Sequence, residues 1–419
     1  MSKSPAPKSH DERLPSLVAR RDAKMARSAH RYVRGSTQRF YDWLATRRGR
    51  TAPAGPAIWI CGDCHVGNLG PVARKDGVVE IELRDLDQTV IGNPAHDLIR
   101  LALSLAMAAR SSNLAGVMTA RMVESMMVGY EAALQARGRT KSSRTDQAVA
   151  VQALLKKSRR RSWKHLLQER LGAPKPRLPM GKAFWPLMDM EGDAVRELFS
   201  TELLRKLITS LFCREDDAEV ELLDAAFWVK GCSSLGGWRC AALVAVSGAS
   251  KREAATGGVS LIDIKQALPA CTPHAPRAAM PKHQGERVVT GARHLSPYLG
   301  ERMLSASIHD RPVVVRELMP QDLKLELDLV PAAEAAQIAQ HLATIVGEAH
   351  ARQLSRDERR AWLAQLRQRR SKAIDAPPWL WSATVDLVGV HEAAYLEHCR
   401  QHALAAAARS SKRPSEAFG

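Results

Sequence analysis

The chain has 419 residues, of which 45% are hydrophobic, and a formal net charge of +18. This length and apolar content predict a folded protein with a sizeable core, and the absence of any run of about 18 apolar residues argues against a membrane span. Seven cysteines, an odd number scattered along the chain, argue against a disulfide framework. Together with an N-terminus that lacks an apolar signal segment, they favour a reduced, cytoplasmic setting.

The positive charge is compatible with nucleic acid, anionic lipid or an anionic small molecule as partner. Much of it lies in short runs, KKSRRR at Lys156–Arg161 and RQRRSK at Arg367–Lys372. Such runs are more often solvated helix faces than binding sites, so nucleic acid is a secondary expectation and a small-molecule substrate the primary one. The sequence does not predict an oligomeric state.

The N-terminal part of the chain is predicted to be helical. Residues 1–10 are rich in Ser, Pro and Lys and predict a disordered tail. A basic helix is expected from Asp11 to His30, and Gly35 interrupts the pattern before a short helix at Thr37–Thr46. Arg34 could contact a phosphate group or could simply cap a helix end.

Two strand-like runs, at 57–61 and 78–84, each end in a polar loop. Four polar side chains follow these strand ends: Asp63, Asn68, Asp85 and Asp87. Loops beyond strands are where a scaffold presents chemistry. Converging carboxylate and amide oxygens suit Mg²⁺, and Asp63 could then orient or deprotonate a hydroxyl that attacks a phosphoryl group. The alternative is that these residues only form turns.

The same loop contains a competing motif, because Cys61–His65 reads C-x-x-C-H. That pattern occurs at haem attachment sites, and C-x-x-C alone occurs in redox pairs. Haem attachment would require export, which the N-terminus does not predict, and Gly62 with Asp63 favours a turn rather than the helix start of a redox motif. His65 is assigned a supporting role.

After this segment, a helix is expected at Pro94–Arg110, with one apolar face and Asp97 in its first turn, where an acid favours the helix dipole. Residues 140–222 are predicted to be mainly helical and basic, with a Pro-rich surface loop at Gly172–Pro186. Three further helices are expected near the C-terminus: Ala332–Arg352, Asp357–Lys372 and Leu387–Ala408.

Between these helical regions the pattern changes to strands. A strand at Ala225–Lys230, the loop GCSSLGG at Gly231–Gly237 and a strand at Trp238–Ser247 precede a strand that carries Lys265. Gly231, Ser233 and Gly236 would let backbone amides approach phosphate groups, and Lys265 would bridge phosphate oxygens. The loop could equally be a plain hairpin turn. Glu286, in the segment KHQGERVV, could pair with Lys265 or be solvated.

The segment G-D-x-H-x-x-N, followed by D-L-D and N-P-x-x-D-L, resembles the catalytic region of aminoglycoside-phosphotransferase-like kinases. The resemblance implies ATP and Mg²⁺ as cofactors, with Asp63 as the catalytic aspartate and Asp97 as the buried aspartate that braces its loop. It also implies a set of metal ligands: Asn68 and Asp85, assisted by Asp87.

From about residue 24 to residue 352 the chain resembles more closely a bacterial family, domain of unknown function 2252 (DUF2252). The family pattern C-G-D-x-H-x-x-N-x-G is matched at Cys61–Gly70, and N-D-F-D-E-T at Arg84–Thr89. The chain departs from the second pattern by Arg84 for Asn and Leu86 for Phe.

The order of these motifs is reversed relative to ordinary kinases, in which the glycine loop and lysine precede the catalytic Asp. We therefore expect an α+β, protein-kinase-like two-lobed fold that is circularly permuted, with a large helical lobe and a smaller antiparallel β lobe. The expected divisions are tails at 1–10 and 409–419, helical-lobe segments at 11–222 and 321–408, and a β lobe at 223–320.

The predicted activity is Mg- and ATP-dependent phosphotransfer to a hydroxyl of a small molecule. Nucleotidyl transfer would use the same residues. A different class of function is a non-catalytic nucleotide-binding or nucleic-acid-binding protein that retains the fold.

Overall fold

The computed structural model describes residues 6–136, 149–171, 177–211, 214–215, 217–231, 235–247, 258–323, 332–368 and 376–411. Within these ranges the chain has a mixed α+β fold, as predicted. Ser233 and the outer parts of both predicted tails lie outside the described residues.

The described helices are α1 (His10–Met25), α2 (Ala29–Gly35), α3 (Thr37–Leu44), α4 (Pro94–Ser111), α5 (Gly116–Gln135), α6 (Val149–Arg159), α7 (Trp163–Leu171), α8 (Asp189–Phe199), α9 (Glu202–Thr209), α10 (Gln284–Leu295), α11 (Pro297–Gly300), α12 (Ala332–Ala351), α13 (Arg356–Arg367) and α14 (Pro378–Ser411). Three of them begin with a serine that caps the first turn, at Ser9, Ser28 and Ser355. Ser28 explains why the predicted helix Asp11–His30 is in fact two helices, since its side chain accepts a hydrogen bond from the Arg31 N–H and starts α2.

Four short strands form two antiparallel ribbons near the N-terminus. In the first ribbon, β1 (Ile58–Ile60) pairs with β4 (Val90–Gly92). In the second, β2 (Leu69–Ala73) pairs with β3 (Val79–Leu83). β1 and β3 lie within the predicted strand-like runs, whereas β2 and β4 were not predicted. The β1–β4 pairing brings the loop after β1 beside the loop that leads into β4.

The remaining strands are β5 (Phe184–Trp185), β6 (Val220–Trp228), β7 (Arg239–Val246), β8 (Val259–Gln266), β9 (Met303–Ile308) and β10 (Arg311–Glu317). They form one sheet in the order β5-β6-β7-β8-β10-β9, and each neighbouring pair is antiparallel. The predicted surface loop at 172–186 is therefore partly wrong, because Phe184 and Trp185 form an edge strand. β6 also begins before the predicted Ala225, with a bulge between Leu222 and Asp224.

Strand alternation gives this sheet two different faces. On one face, residues such as Cys240, Ala242 and Ile264 join an apolar cluster with side chains of α8 and α9. On the other face, Leu243 and Leu261 join the larger apolar cluster that includes the helical part of the chain. Asp263 and Lys265 lie two and four positions after Leu261 along β8, so they share its face and also point toward the helical part.

α4 is the central helix of that larger cluster. The sequence predicted a helix with one apolar face, but every residue from Pro94 to Ala109 except His96 is buried. This occurs because α2, α5 and α14 all pack against α4 and together leave it no solvent-facing side. α12 packs closely along α5, where a Cβ atom at Gly129 would lie 2.1 Å from the Gln340 carbonyl oxygen. No helix among the described residues is long and apolar enough to cross a membrane.

Candidate functional site

The loop Cys61–Asn68 follows β1 and carries Asp63, the predicted catalytic residue. Gly62 has φ +75°, and a Cβ atom there would lie 2.1 Å from the carbonyl oxygen of Gln88. Only glycine combines this conformation with such a close approach of the two loops. The Tyr41 hydroxyl donates a hydrogen bond to the Gly62 carbonyl and holds the turn from the α3 side.

α4 holds this loop through three buried polar side chains. The Asp97 carboxylate accepts hydrogen bonds from the N–H groups of Cys61 and Gly62, at 2.7 and 2.9 Å. Arg100 Nε donates to Asp63 Oδ1 at 2.9 Å, and Ser104 Oγ accepts from the Val66 N–H at 3.1 Å. The i, i+3, i+7 spacing places all three on one helix face. Of the three, only Asp97 was predicted from the sequence. The stripe of polar residues within an otherwise apolar helix is the sequence feature that indicates Arg100 and Ser104.

Asp97 is in turn held by a buried chain of side chains from other helices. Its Oδ2 lies 3.2 Å from His350 Nε2, His350 Nδ1 lies 2.9 Å from the Tyr130 hydroxyl, and Trp362 Nε1 donates to that hydroxyl at 3.1 Å. Because a carboxylate accepts, His350 Nε2–H donates to Asp97; in that tautomer Nδ1 accepts from the Tyr130 hydroxyl, which in turn accepts from Trp362 Nε1–H. The sequence analysis did not assign His350 to the site.

Asn68 joins the two polar loops to each other. Its Nδ2 donates to the backbone carbonyls of Asp63 and Asp85, at 3.2 and 2.6 Å, and its Oδ1 accepts the Asp85 N–H at 2.6 Å. The residue is 2% exposed. The structure therefore uses the Asn68 amide as a clamp between loops and does not bring it to the surface that Asp63 and Asp85 share. Its role as a metal ligand stays a prediction.

α10 fixes the second loop, but through a different residue from the predicted one. Arg287 donates to the backbone carbonyls of Thr89, Asp87 and Leu268, at 2.5, 2.9 and 2.9 Å. The neighbouring Glu286 is exposed and forms no ion pair with Lys265 in the described structure. Lys265 pairs instead with carboxylates of the loop after β3. In the segment KHQGERVV, Arg287 rather than Glu286 therefore contacts the polar loop.

Lys265 projects from β8 toward the two loops. Its Nζ forms an ion pair with Asp87 and lies 3.4 Å from Asp85 Oδ1. Behind it, Asp263 is buried and accepts hydrogen bonds from Arg239, whose Nε lies 2.7 Å from Asp263 Oδ1. The sheet thus brings residues that are 178 and 180 positions apart in the chain into direct contact.

A cavity of about 70 Å³ lies where these elements meet. Ten of the described residues line it: Thr37, Asp63, Asp85, Asp87, Gln88, Gly237, Trp238, Lys265, Gln266 and Leu268. This volume holds about two waters and is smaller than the several hundred cubic ångströms of a typical ligand pocket. The cleft is therefore closed in this conformation, with the Lys265–Asp87 ion pair across it.

Other predicted site residues lie around this cavity without lining it. Gly231 accepts a hydrogen bond from Lys24 Nζ at 2.8 Å through its carbonyl oxygen, and Gly236 has φ +121°. His65 is buried beside Asp63, with 3.8 Å between its Nε2 and Asp63 Oδ2. The Arg34 guanidinium packs against Gly67 at the far end of the loop.

The charges in the cleft give its carboxyl groups different proton affinities. Loss of hydration raises the pKa of Asp85, but the Lys265 ammonium and the Arg316 and Arg239 guanidinium groups outweigh that effect and hold it below its usual range. Burial and the charge of Asp85 raise the pKa of Asp87. Burial also raises the pKa of Asp63, against the opposing effect of Arg100.

The thiols of the competing C-x-x-C-H motif are enclosed. Cys61 and Cys64 have no exposed surface, and a hydrogen bond with Cys64 together with burial raises the pKa of Cys61 well above its usual range. Reactive cysteines need an accessible, readily ionised thiol. This environment favours a packing role over haem attachment or redox exchange.

Comparison with known proteins yields a family but no activity. No curated protein and no solved structure matches the chain. The model of a family described as an uncharacterised protein conserved in bacteria, DUF2252, matches residues 13–401. The match includes both polar loops, the strand that carries Lys265 and the helix of Arg287. The chain belongs to the DUF2252 family.

Proposed function

We propose that the protein is a Mg- and ATP-dependent phosphotransferase that acts on a hydroxyl of a small-molecule substrate. One observation carries this proposal: Lys265 lies with Asp63, Asp85 and Asp87 on a single cavity, although some 180 positions separate the lysine from two of these acids. A cation opposite several carboxylates is the arrangement that phosphoryl transfer requires, because the reaction consists largely of positioning and charge neutralisation.

The donor set of the cavity fits Mg²⁺. Asp85 and Asp87 supply carboxylate oxygens, and Mg²⁺ is commonly bound by one or two carboxylates together with substrate phosphates. The Lys265 ammonium already occupies a position between these two groups, so the site attracts positive charge. When bound, the metal would be held by Asp85 and Asp87 and would neutralise phosphate charge. Lys265 would then be free to contact a phosphate oxygen.

Asp63 is suited to act on the acceptor hydroxyl. Arg100 Nε fixes Asp63 Oδ1 at 2.9 Å, and Asp63 lines the cavity. Because burial raises its pKa, Asp63 accepts a proton more readily than an exposed aspartate would. His65 beside it has a pKa well below the usual range, owing to burial and to the charges of Arg34 and Arg100, and is therefore neutral at neutral pH.

We further propose that the fold is a circularly permuted, kinase-like two-lobed arrangement. Two observations support this proposal. In the sheet, the hairpin β6–β7 and the lysine strand β8 are followed in the chain by α10 and then by β9 and β10, with all neighbouring strands antiparallel. The first and last described helices also contact each other, since the Tyr395 hydroxyl of α14 donates to the carbonyl of Ala26, just after α1, at 3.2 Å. A permuted chain requires its first and last elements to lie close together.

The test is whether Mg²⁺ with ATP raises the melting temperature and whether Asp85→Asn removes that increase. The closed cavity must open to admit a nucleotide, so binding should also change the fluorescence of Trp238, which lines it. Asp310→Asn, which removes an exposed carboxylate from the β9–β10 turn, is the matched control and should retain the full shift.

The catalytic step is tested separately from binding. Asp63→Ala should retain the ATP-induced shift but lose ATP turnover, and the appearance of ADP rather than pyrophosphate would distinguish phosphoryl from nucleotidyl transfer. Absence of any Mg-dependent ATP binding by the wild-type protein would refute the proposal. Binding without turnover would instead favour the non-catalytic nucleotide-binding alternative.

A further inference from the structure

A second concave surface lies between α6 and α7, and none of its residues line the cavity described above. It encloses about 720 Å³. Eight residues line it: Ala153, Lys156, Lys157, Arg160, Arg161, His165, Gln168 and Glu169. Four of these carry a permanent positive charge and one carries a negative charge. We call this surface the α6–α7 groove.

The spacing of these residues shows how two helices build the groove. Ala153, Lys156, Lys157 and Arg160 follow one another at i, i+3, i+4 and i+7, so they lie on one face of α6 and its last turn. On α7, His165, Gln168 and Glu169 follow at i, i+3 and i+4. The basic run predicted from the sequence as a solvated helix face therefore borders a concave surface.

Hydrogen bonds anchor the groove to the segment that follows β10. Ser158 Oγ donates to the Gln321 carbonyl at 2.5 Å, and Gln321 Nε2 donates to the Arg161 carbonyl at 3.2 Å. These two bonds fix the turn between α6 and α7. The basic side chains are thus presented by a backbone that is held in place, which reduces the ordering cost of binding.

Three of the four permanent cations of the groove have no carboxylate partner among the described residues. Arg161 pairs with Glu169 at 2.5 Å, but no carboxylate in the part of the chain that the structure describes pairs with Lys156, Lys157 or Arg160. Several arginines on other helices do have such a partner, an acid three positions earlier in the same helix, as in Asp193–Arg196, Glu202–Arg205, Asp357–Arg360 and Glu397–Arg400. The positive charge of the groove is therefore available to an external anion.

The lining also indicates the kind of anion. Among the side chains of the lining that the structure describes, Ala153 is the only apolar one and none is Phe, Tyr or Trp, so these side chains offer neither a surface for membrane insertion nor a platform for stacking bases. Repeated cations at helical spacing suit a polymer with repeated negative charges. His165 and Gln168 add hydrogen-bond donors on the opposite wall.

We propose that the α6–α7 groove binds nucleic acid through its phosphate backbone, without reading base sequence. The contacts are charge-assisted hydrogen bonds from Lys156, Lys157 and Arg160 to phosphate oxygens, and binding releases counterions from the strand. RNA and DNA share this chemistry. The site is separate from the proposed phosphotransferase cavity and does not depend on it.

The test measures how salt weakens the binding of a short labelled single-stranded RNA and of a short duplex DNA, by fluorescence anisotropy. The variant Lys156→Ala/Lys157→Ala/Arg160→Ala should bind at least about tenfold more weakly, and the slope of log K against log salt for RNA should fall by about 2, since each lost phosphate contact removes about 0.7. All three residues are exposed, so the variant should fold normally.

The control carries the same loss of charge elsewhere: Arg31→Ala/Arg47→Ala/Arg50→Ala, three exposed arginines of the N-terminal helical region. It should retain the wild-type slope. Whether RNA, DNA or both respond to the groove variant identifies the polymer and supports the proposal. The proposal would be overturned if the two triple variants lost nucleic-acid affinity equally, or if the wild-type protein bound no nucleic acid. It would also be overturned if the groove were needed for binding to anionic phospholipid vesicles but not to nucleic acid.

Discussion

Replacing Asp97 with asparagine should loosen the Cys61–Asn68 loop while leaving the side-chain volume almost unchanged. The Asp97 carboxylate is fully buried and accepts three hydrogen bonds, from the N–H groups of Cys61 and Gly62 and from His350 Nε2. Asparagine has one acceptor oxygen and one donor NH₂ group. One of the two loop N–H groups would therefore face another donor.

The expected loss of stability follows from that mismatch. A hydrogen bond to an ionised group contributes about 1.5–3 kcal/mol, and a buried donor without a partner costs about 1–3 kcal/mol. Because both penalties fall on the same N–H group, we take the larger figure and expect the free energy of unfolding to fall by about 3 kcal/mol. A local opening of that size should increase amide exchange in the loop by about 100-fold, since each 1.4 kcal/mol is about tenfold.

Two measurements check this expectation. Urea unfolding followed by tryptophan fluorescence reports the global loss, and hydrogen exchange with mass spectrometry reports the amides of Cys61 and Gly62. Asp310→Asn is the control and should change the free energy of unfolding by no more than about 0.5 kcal/mol, as surface substitutions usually do. If Asp97→Asn lost less than about 1 kcal/mol and left exchange at Cys61 and Gly62 unchanged, the bracing role would be wrong.

Three further predictions concern neighbouring groups. Burial raises the pKa of Glu82 to about 7, so the folded state keeps a proton that the unfolded state releases near its usual value. Wild-type stability should therefore fall relative to Glu82→Gln as pH rises from about 5 to about 8, and parallel urea-midpoint profiles would contradict this. Arg287→Met leaves two backbone carbonyls of the second loop, and that of Leu268 after β8, without their donor. It should cost about 2–4 kcal/mol of stability and remove the ATP-induced melting shift, and an unchanged shift would argue against that loop as part of the site. Iodoacetamide should leave the buried Cys61 and Cys64 unmodified in the folded protein while it labels the partly exposed Cys399. Equal labelling of all three thiols, measured by mass spectrometry, would contradict their packing role.

Local sequence signals located the C-terminal helices but not all of their ends. α12 occupies Ala332–Ala351 and ends one residue before the predicted Arg352, whereas α14 begins at Pro378, before the predicted Leu387. Periodicity over many residues, or alternation in a hairpin with a short turn, is a property of the segment itself. The polar loops after the first two strand-like runs were located for the same reason, because turn residues act locally.

Short or pairing-dependent elements were not predictable in this way. β2 and β4 have only five and three residues, and each is a strand only because a partner pairs with it. The full burial of α4 was not predictable either. Its own sequence suggests one apolar face, whereas three other helices bury it on all sides.

The sequence by itself determined which residue types are available for chemistry and on which local elements they lie. Acids and an amide follow two strands, and a lysine lies on a third strand. The tertiary structure decided which of them meet. Lys265 pairs with Asp87 rather than with Glu286, and the Asn68 amide links the two polar loops. Arg100, Arg287 and His350 also hold these loops, directly or through Asp97. The physical reason is that a contact across some 180 residues depends on how a sheet packs against helices, and no local pattern records that packing.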